Sequence, residues 1–222
     1  MNETLKKLII TYATADHEEF RRELGNLSRD TLASTLSDLL TIYFNDTNSS
    51  RMREMVTTIL SGYEVLEGKL GYNGYRQAAP GGPREYCEVK PKNVRLSDDG
   101  KLIRGSLDGG GTYNDYTLDR LIKHKKEDPT LLISGFVDGQ LLYILKAPFH
   151  CIYERLNDLI ERKFPGGQRD KGDYLRGASF NFSHYQNCAD TKIIRLSKNI
   201  ELFRHCINRK FFEWLLTHQS TR

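Results

Sequence analysis

The chain has 222 residues, 38% of them hydrophobic and 28% charged, with a formal net charge of +4. Those proportions describe an ordinary globule with material for one substantial core, and a single domain is expected over 1–222. No apolar run is long enough to span a bilayer and no signal-peptide pattern is present, so a cytoplasmic protein is expected; the mild positive charge permits a nucleic-acid partner without requiring one.

Residues 3–63 read as helices. Apolar side chains recur at helical spacing in Leu5, Leu8, Ile9 and Tyr12, and again in Phe20, Leu24 and Leu27. After a capping Ser28 come Leu32, Leu36, Leu39, Leu40 and Tyr43. A polar break over 45–50 separates them from a fourth helix carrying Met52, Met55, Val56, Ile59 and Leu60. These stripes are expected to be core, with apolar surface to spare for a dimer interface. The segment 63–67 closes the helical section, and Glu64, about one turn beyond Leu60, and Glu67 are carboxylates within reach of whatever follows.

A Gly/Asn/Tyr turn over 68–76 leads into an extended segment, 82–93. With a strand's period of two, Cys87 and Val89 face a core while Tyr86, Glu88 and Lys90 face the other way together. A carboxylate and an ammonium so placed can hold a divalent cation and set a positive charge beside a scissile phosphate, which phosphodiester hydrolysis needs. Taken alone, the tripeptide equally describes a surface strand with a solvated polar face.

Next come a short strand over 101–107 and a Gly-rich loop at 108–111 that lacks the Gly-Lys-Ser/Thr ending of a phosphate-binding loop. A helix starts near Thr117 with Leu118, Leu121 and Ile122 inward and Lys123, Lys125 and Lys126 outward, and Pro129 follows its end. Two apolar runs over 131–149 flank Asp138-Gly139 as a hairpin. A helix over 152–163 stops at Pro165, and a polar loop over 168–177 holds Arg169, Lys171 and Arg176. In the run 178–184, Phe180 and Phe182 alternate with Ser179, Asn181 and Ser183. The polar face suits base edges, with Asn181 matched to adenine and Arg176 to guanine. A last strand over 191–196 and a last helix over 199–216 complete the chain. The four cysteines are far apart without a CxxC pair, so buried free thiols are expected rather than zinc or disulfides. The six histidines are dispersed and show no metal-binding spacing.

The turn and corner that lead into Glu88-Val89-Lys90, followed by Asn114-Asp115-Tyr116-Thr117 and by Ser134-Gly135-Phe136-Val137-Asp138-Gly139, resemble the PD-(D/E)XK nuclease superfamily over roughly 60–185. More narrowly they resemble type II restriction endonucleases. The resemblance implies an α/β fold with a mixed central sheet flanked by helices, here behind an N-terminal helical section, 1–63, with a catalytic and DNA-recognition core over 64–222. It also implies Mg²⁺-dependent cleavage of double-stranded DNA at a short palindromic site by a homodimer. Glu88 and Lys90 fill the E-x-K places. Asn73 stands where the family has its leading Asp, which leaves the metal set of Asn73, Glu88 and Glu64 one negative charge short; Glu67 and Asp108 are further donors. Asn114, Tyr116, Lys123, Arg169, Lys171, Arg176, Ser179, Asn181 and Ser183 are the expected DNA contacts. Asn73 keeps open a second reading, a sequence-specific DNA-binding protein without catalysis, and a repair or junction nuclease of the same fold is a third.

Overall fold

The computed structural model describes residues 3–45, 50–67, 71–168, 170 and 172–219. The N-terminal periodicity gives α1 (Glu3–Thr14), α2 (His17–Gly25), α3 (Arg29–Asn45) and α4 (Arg51–Leu60). Short polar side chains cap two of their starts: at α2 Asp16 accepts the amides of Glu18 and Glu19, and at α3 Ser28 Oγ accepts that of Thr31 at 3.2 Å. The expected break lies between α3 and α4, with 46–49 outside the described residues. Leu5, Leu8 and Ile9 of α1 and Met55 and Val56 of α4 are buried as expected, but Leu32 and Leu36 of α3 face outward. The reason is that α3 packs on α1 rather than on the sheet, so its stripe is only partly covered.

The chain continues through β1 (Glu64–Val65), β2 (Gly74–Gln77), β3 (Arg84–Val94), β4 (Gly111–Tyr116), α5 (Leu118–Glu127), β5 (Thr130–Val137) and β6 (Gln140–Pro148). Then follow α6 (His150–Lys163), β7 (Leu175–Phe180), β8 (Lys192–Leu196) and α7 (Arg209–Gln219). The fold is mixed α/β: a six-stranded sheet in the order β1-β2-β3-β5-β6-β8, and a two-stranded ribbon of β4 and β7. β3 and β5 run parallel, and the crossover between them carries α5, as a parallel connection requires. The other neighbours are antiparallel. The hairpin between β5 and β6 turns on Asp138 (φ 48°) and Gly139 (φ 82°), both left-handed, which is the type I′ geometry its sequence calls for.

Strand alternation divides the core between the two faces of the sheet. Leu131, Ile133 and Val137 pack with Leu121, Leu156 and Phe211 of α5, α6 and α7. On the opposite face Phe136, Leu141 and Ile144 meet α1 and α4, and Leu132 joins Cys87, Val89 and Tyr63.

Several expectations are corrected. Residues 64 and 65 are not a helix end: after Gly62 turns the chain at φ 78°, they pair with Gly74 and Tyr75 as β1. Residues 101–107 form only isolated bridges, Leu96 to Leu102 and Leu107 to Ile207. On α5, Ile122 is exposed and His124 buried, because His124 shares the face of Leu121 three residues earlier. The strand β7 stops at Phe180, and Phe182–His184 is a 3₁₀ turn. The last helical stretch is split into a 3₁₀ segment, Ile200–Cys206, and α7. Cys151 and Cys188 form a disulfide, while Cys87 and Cys206 are the buried free thiols expected of all four. The bonded pair lies 37 residues apart, a separation that hides a contact made only when the start of α6 meets the segment before β8. Among the described residues no helix is long and apolar enough to cross a membrane.

Candidate active site

The site begins where β2 leaves β3. β2 pairs only from Gly74 to Gln77, opposite Cys87 to Arg84, while β3 runs on beside β5. Asn73 carries the ladder one step further: its amide donates to the Cys87 carbonyl at 2.9 Å and its Oδ1 accepts the Val89 amide at 2.7 Å. Its Nδ2 donates to Glu54 Oε2 at 3.0 Å. Glu54 stands in the first turn of α4, and its other oxygen accepts the Ser50 hydroxyl at 2.8 Å. Such close contact between β2 and α4 needs glycine at 74, where a Cβ would fall 2.5 Å from Thr58 Cγ2. Past Cys87 a notch therefore opens beside β3, with α4 along one side.

Glu88 and Lys90 share the face that period two assigns them, but that face is not solvated. Glu88 is 6% exposed and the Lys90 side chain 13%. Lys90 Nζ lies 2.7 Å from Glu88 Oε1 and 3.9 Å from the centre of the Tyr113 ring, so salt bridge and cation–π contact pin it together. Arg120 of α5 reaches the same Glu88 oxygen at 3.9 Å and donates to the Asn114 carbonyl at 3.0 Å. β4 can lie this close to β3 because position 111 has no side chain: a Cβ there would sit 2.6 Å from Lys90 Cβ. The Gly-rich run thus serves packing.

Around these groups is a cleft of about 1060 Å³. Its carboxylates are Glu54, Glu88, Asp108 and Asp115; its cations are Lys90, Lys92, Arg120 and Lys123. Lys92 Nζ pairs with Asp108 Oδ1 at 2.8 Å, and Lys123 Nζ sits 5.0 Å from the centre of the Tyr72 ring. His124 also borders the cleft, but it belongs to an aromatic cluster with Tyr113, Tyr116 and Phe149. Burial pulls its imidazole down to about 4, so it is neutral near pH 7, with Nδ1 3.0 Å from the Tyr116 hydroxyl.

Of the residues singled out in the sequence, Asn73, Glu88, Lys90, Asn114, Lys123, Ser179 and Asp108 border this one cleft. Tyr116 does not reach it, since it is fully buried. Glu64 lies on β1, where its carboxylate accepts the Tyr75 hydroxyl at 2.6 Å, and neither it nor Glu67 lines the cleft. Arg176 is exposed on the same side of β7 as Ala178 and Phe180, opposite Ser179, whose hydroxyl lies 2.9 Å from that of Thr112. Asn181 caps the 3₁₀ turn, accepting both the amide and the hydroxyl of Ser183, at 3.2 and 2.6 Å, so these two side chains are engaged with each other. Arg169 and Lys171 lie outside the described residues.

Sequence reasoning missed Glu54. The carboxylates near the E-x-K strand in the chain do not include Glu54, which comes from a helix 34 positions upstream of Glu88. The available signal was that Glu54 is the sole acidic residue in the sequence of the fourth helix, next to the buried Met55 and Val56.

The donors suit a hard divalent cation: Glu54 and Glu88 offer oxygen ligands to the same cleft, with Asn73 hydrogen-bonded to Glu54 on one side and to the strand of Glu88 on the other. Oxygen donors of this kind are those Mg²⁺ takes, and the set carries one charge fewer than a third carboxylate would give it. No protein-family model and no curated protein matches this sequence.

Proposed function

We propose that this chain is a type II restriction endonuclease of the PD-(D/E)XK kind, a homodimer that cuts both strands of double-stranded DNA at a short palindromic site in the cytoplasm. The observation that supports this most is the paired Glu88 and Lys90 in a cleft that also holds a carboxylate from a second element, Glu54.

Glu54 and Glu88 would hold Mg²⁺, which when bound polarises the phosphate and lowers the pKa of an attacking water. Asn73 keeps α4 and β3 at a fixed separation through its bonds to Glu54 and to the Val89 amide. Lys90 is held by Glu88 and by the Tyr113 ring, so its ammonium needs little reorganisation to offset charge developing on a phosphate. Arg120 and Lys123 on α5 add positive charge to the same cleft and would attract the DNA backbone. Asn114 and Ser179, on the ribbon of β4 and β7, present polar groups that suit base edges.

The hydrogen bond from Asn73 to Glu54 favours a second reading, in which the chain binds its DNA sequence without cutting, because the amide satisfies Glu54 in the absence of a cation. Incubation of a sequenced supercoiled plasmid with Mg²⁺ or with chelator separates the readings. Mg²⁺-dependent fragments of fixed length support the endonuclease. Sequence-specific binding without cutting supports the second reading, cutting confined to branched or damaged DNA supports a repair or junction enzyme, and absence of both binding and cutting overturns all three.

A further inference from the structure

A second cluster of polar side chains lies where α5 ends and α6 begins. Asp128 follows α5 in a left-handed conformation, φ 41°. Its carboxylate accepts the His150 amide at 2.8 Å and lies 2.8 Å from His150 Nδ1. This contact orients the imidazole, whose Nε2 is then 3.2 Å from Asp190 Oδ2. Cys151 follows His150 at the start of α6, and Cys188 arrives on the segment before β8. The ligand atoms of His150, Cys151 and Cys188 all lie within 4.8 Å of one another.

Two sulfurs and an imidazole nitrogen therefore converge on one spot, and a carboxylate oxygen, Asp190 Oδ2, stands 3.2 Å from the ring's Nε2. That donor set matches tetrahedral zinc, which takes cysteine, histidine and aspartate ligands. The carboxylate behind the ring completes the pattern, since a metal-binding histidine commonly gives its other nitrogen to a carboxylate that fixes tautomer and orientation. A disulfide alone accounts for the sulfurs; it does not account for a ring fixed by one aspartate and directed at another beside them.

We propose that in the reduced protein Cys151, Cys188, His150 and Asp190 bind Zn²⁺, with Asp128 as the positioning residue. None of these residues lines the cleft, and the proposal does not rest on the nuclease reading. The two sulfurs are bonded to each other in this structure, and only thiolates ligate a metal, so reduction comes first. A trialkylphosphine supplies the two electrons: the disulfide takes them with two protons to give two thiols, and the phosphine leaves as its oxide with the oxygen of one water. Zinc then displaces the two thiol protons to the solvent. Bound metal would join the end of α5, the start of α6 and the segment leading to β8. Because α5 carries Arg120 and Lys123, it would stiffen one wall of the cleft from outside.

The test uses the full chain, reduced with phosphine, stripped with chelator, freed of both without air and titrated with Co²⁺. The expected result is one Co²⁺ per chain, with the visible absorption of a tetrahedral site and a thiolate-to-cobalt charge-transfer band, both erased by Zn²⁺. Cys188→Ser should lower the charge-transfer intensity, because Cys151 is then the one thiolate left in the proposed set. Should that variant fail to fold, Asp190→Ala, at an exposed side chain, should shift the visible band and weaken Zn²⁺ binding. Asp128→Asn should lower Zn²⁺ affinity by about 10- to 100-fold at unchanged stoichiometry. A reduced chain with no charge-transfer band overturns the proposal, as does a spectrum that neither Cys188→Ser nor Asp190→Ala alters.

Discussion

Asn73 performs two tasks that no carboxylate could perform together: its oxygen accepts the Val89 amide and its nitrogen donates to Glu54. In Asn73→Asp the second contact becomes oxygen against oxygen at a spacing now set by a hydrogen bond, and a divalent cation is what relieves it. Without Mg²⁺ the variant should lose about 1–3 kcal/mol of stability, and Mg²⁺ should restore it, with a weaker dependence expected of the unaltered chain. If the amide at position 73 has disarmed the site, cleavage should rise by orders of magnitude at unchanged DNA affinity. Thermal unfolding with and without Mg²⁺ reads the first effect, and plasmid turnover the second; a melting temperature indifferent to Mg²⁺ would remove the metal from between residues 54 and 73. Glu54→Gln should abolish cleavage and Glu64→Gln leave it intact, since only Glu54 lines the cleft. Lys90→Ala should also abolish cleavage, but not without structural cost. With its side chain 13% exposed, Lys90 is the closest partner of a buried Glu88, and its loss leaves Arg120 at 3.9 Å as the nearest charge. Destabilisation of about 1–3 kcal/mol is expected in denaturant titration.

At the scale of elements, one carboxylate ties the meander to the rest of the sheet. Glu85 on β3 accepts from Arg76 on β2, Thr130 on β5 and Lys146 on β6, at 2.6, 2.7 and 2.9 Å, and from Tyr63 just before β1. Burial by itself would raise its pKa, yet the hydrogen bonds from these donors outweigh burial and draw it down to about 2. The folded value lies below the unfolded one, so this stabilisation is complete above the ordinary carboxylate range and is lost as pH falls towards 2. The melting-temperature gap between wild type and Glu85→Gln should accordingly narrow as pH drops from 5 towards 2, as acid melts of both proteins would show; a gap that widens refutes the assignment. The strand alternation behind β3, the Asp138-Gly139 turn and the helical periods of α1 to α4 were legible in the sequence because each is a local pattern. Glu54, the disulfide and the burial of Glu88 were not, because each depends on which element arrives from elsewhere. Gly111 belongs with them: it reads as loop, yet its missing side chain lets β4 press on Lys90. Gly111→Ala should displace Lys90 and reduce cleavage at least tenfold while far-ultraviolet circular dichroism stays unchanged.

For the whole molecule, the net charge of +4 is too small to identify a nucleic-acid binder, so the placement of charge matters more than its sum. Four cations line one cleft, and two of them, Arg120 and Lys123, come from the crossover helix that a parallel β3–β5 pair requires. If DNA lies along this cleft, Lys123 neutralises a phosphate and Asn114, exposed on β4, meets base edges. The two substitutions then separate in kind. Lys123→Ala should weaken cognate and random duplexes alike and lower the slope of log affinity against log salt by about 1. Asn114→Ala should leave that slope unchanged and lower discrimination between cognate and random duplex by about 1–3 kcal/mol. Competition binding over a range of salt concentrations measures both, and Ca²⁺ in place of Mg²⁺ would keep the substrate whole. If Lys123→Ala changes neither affinity nor slope, the DNA does not pass over α5, and the cleft would then have to be approached from the side of α4.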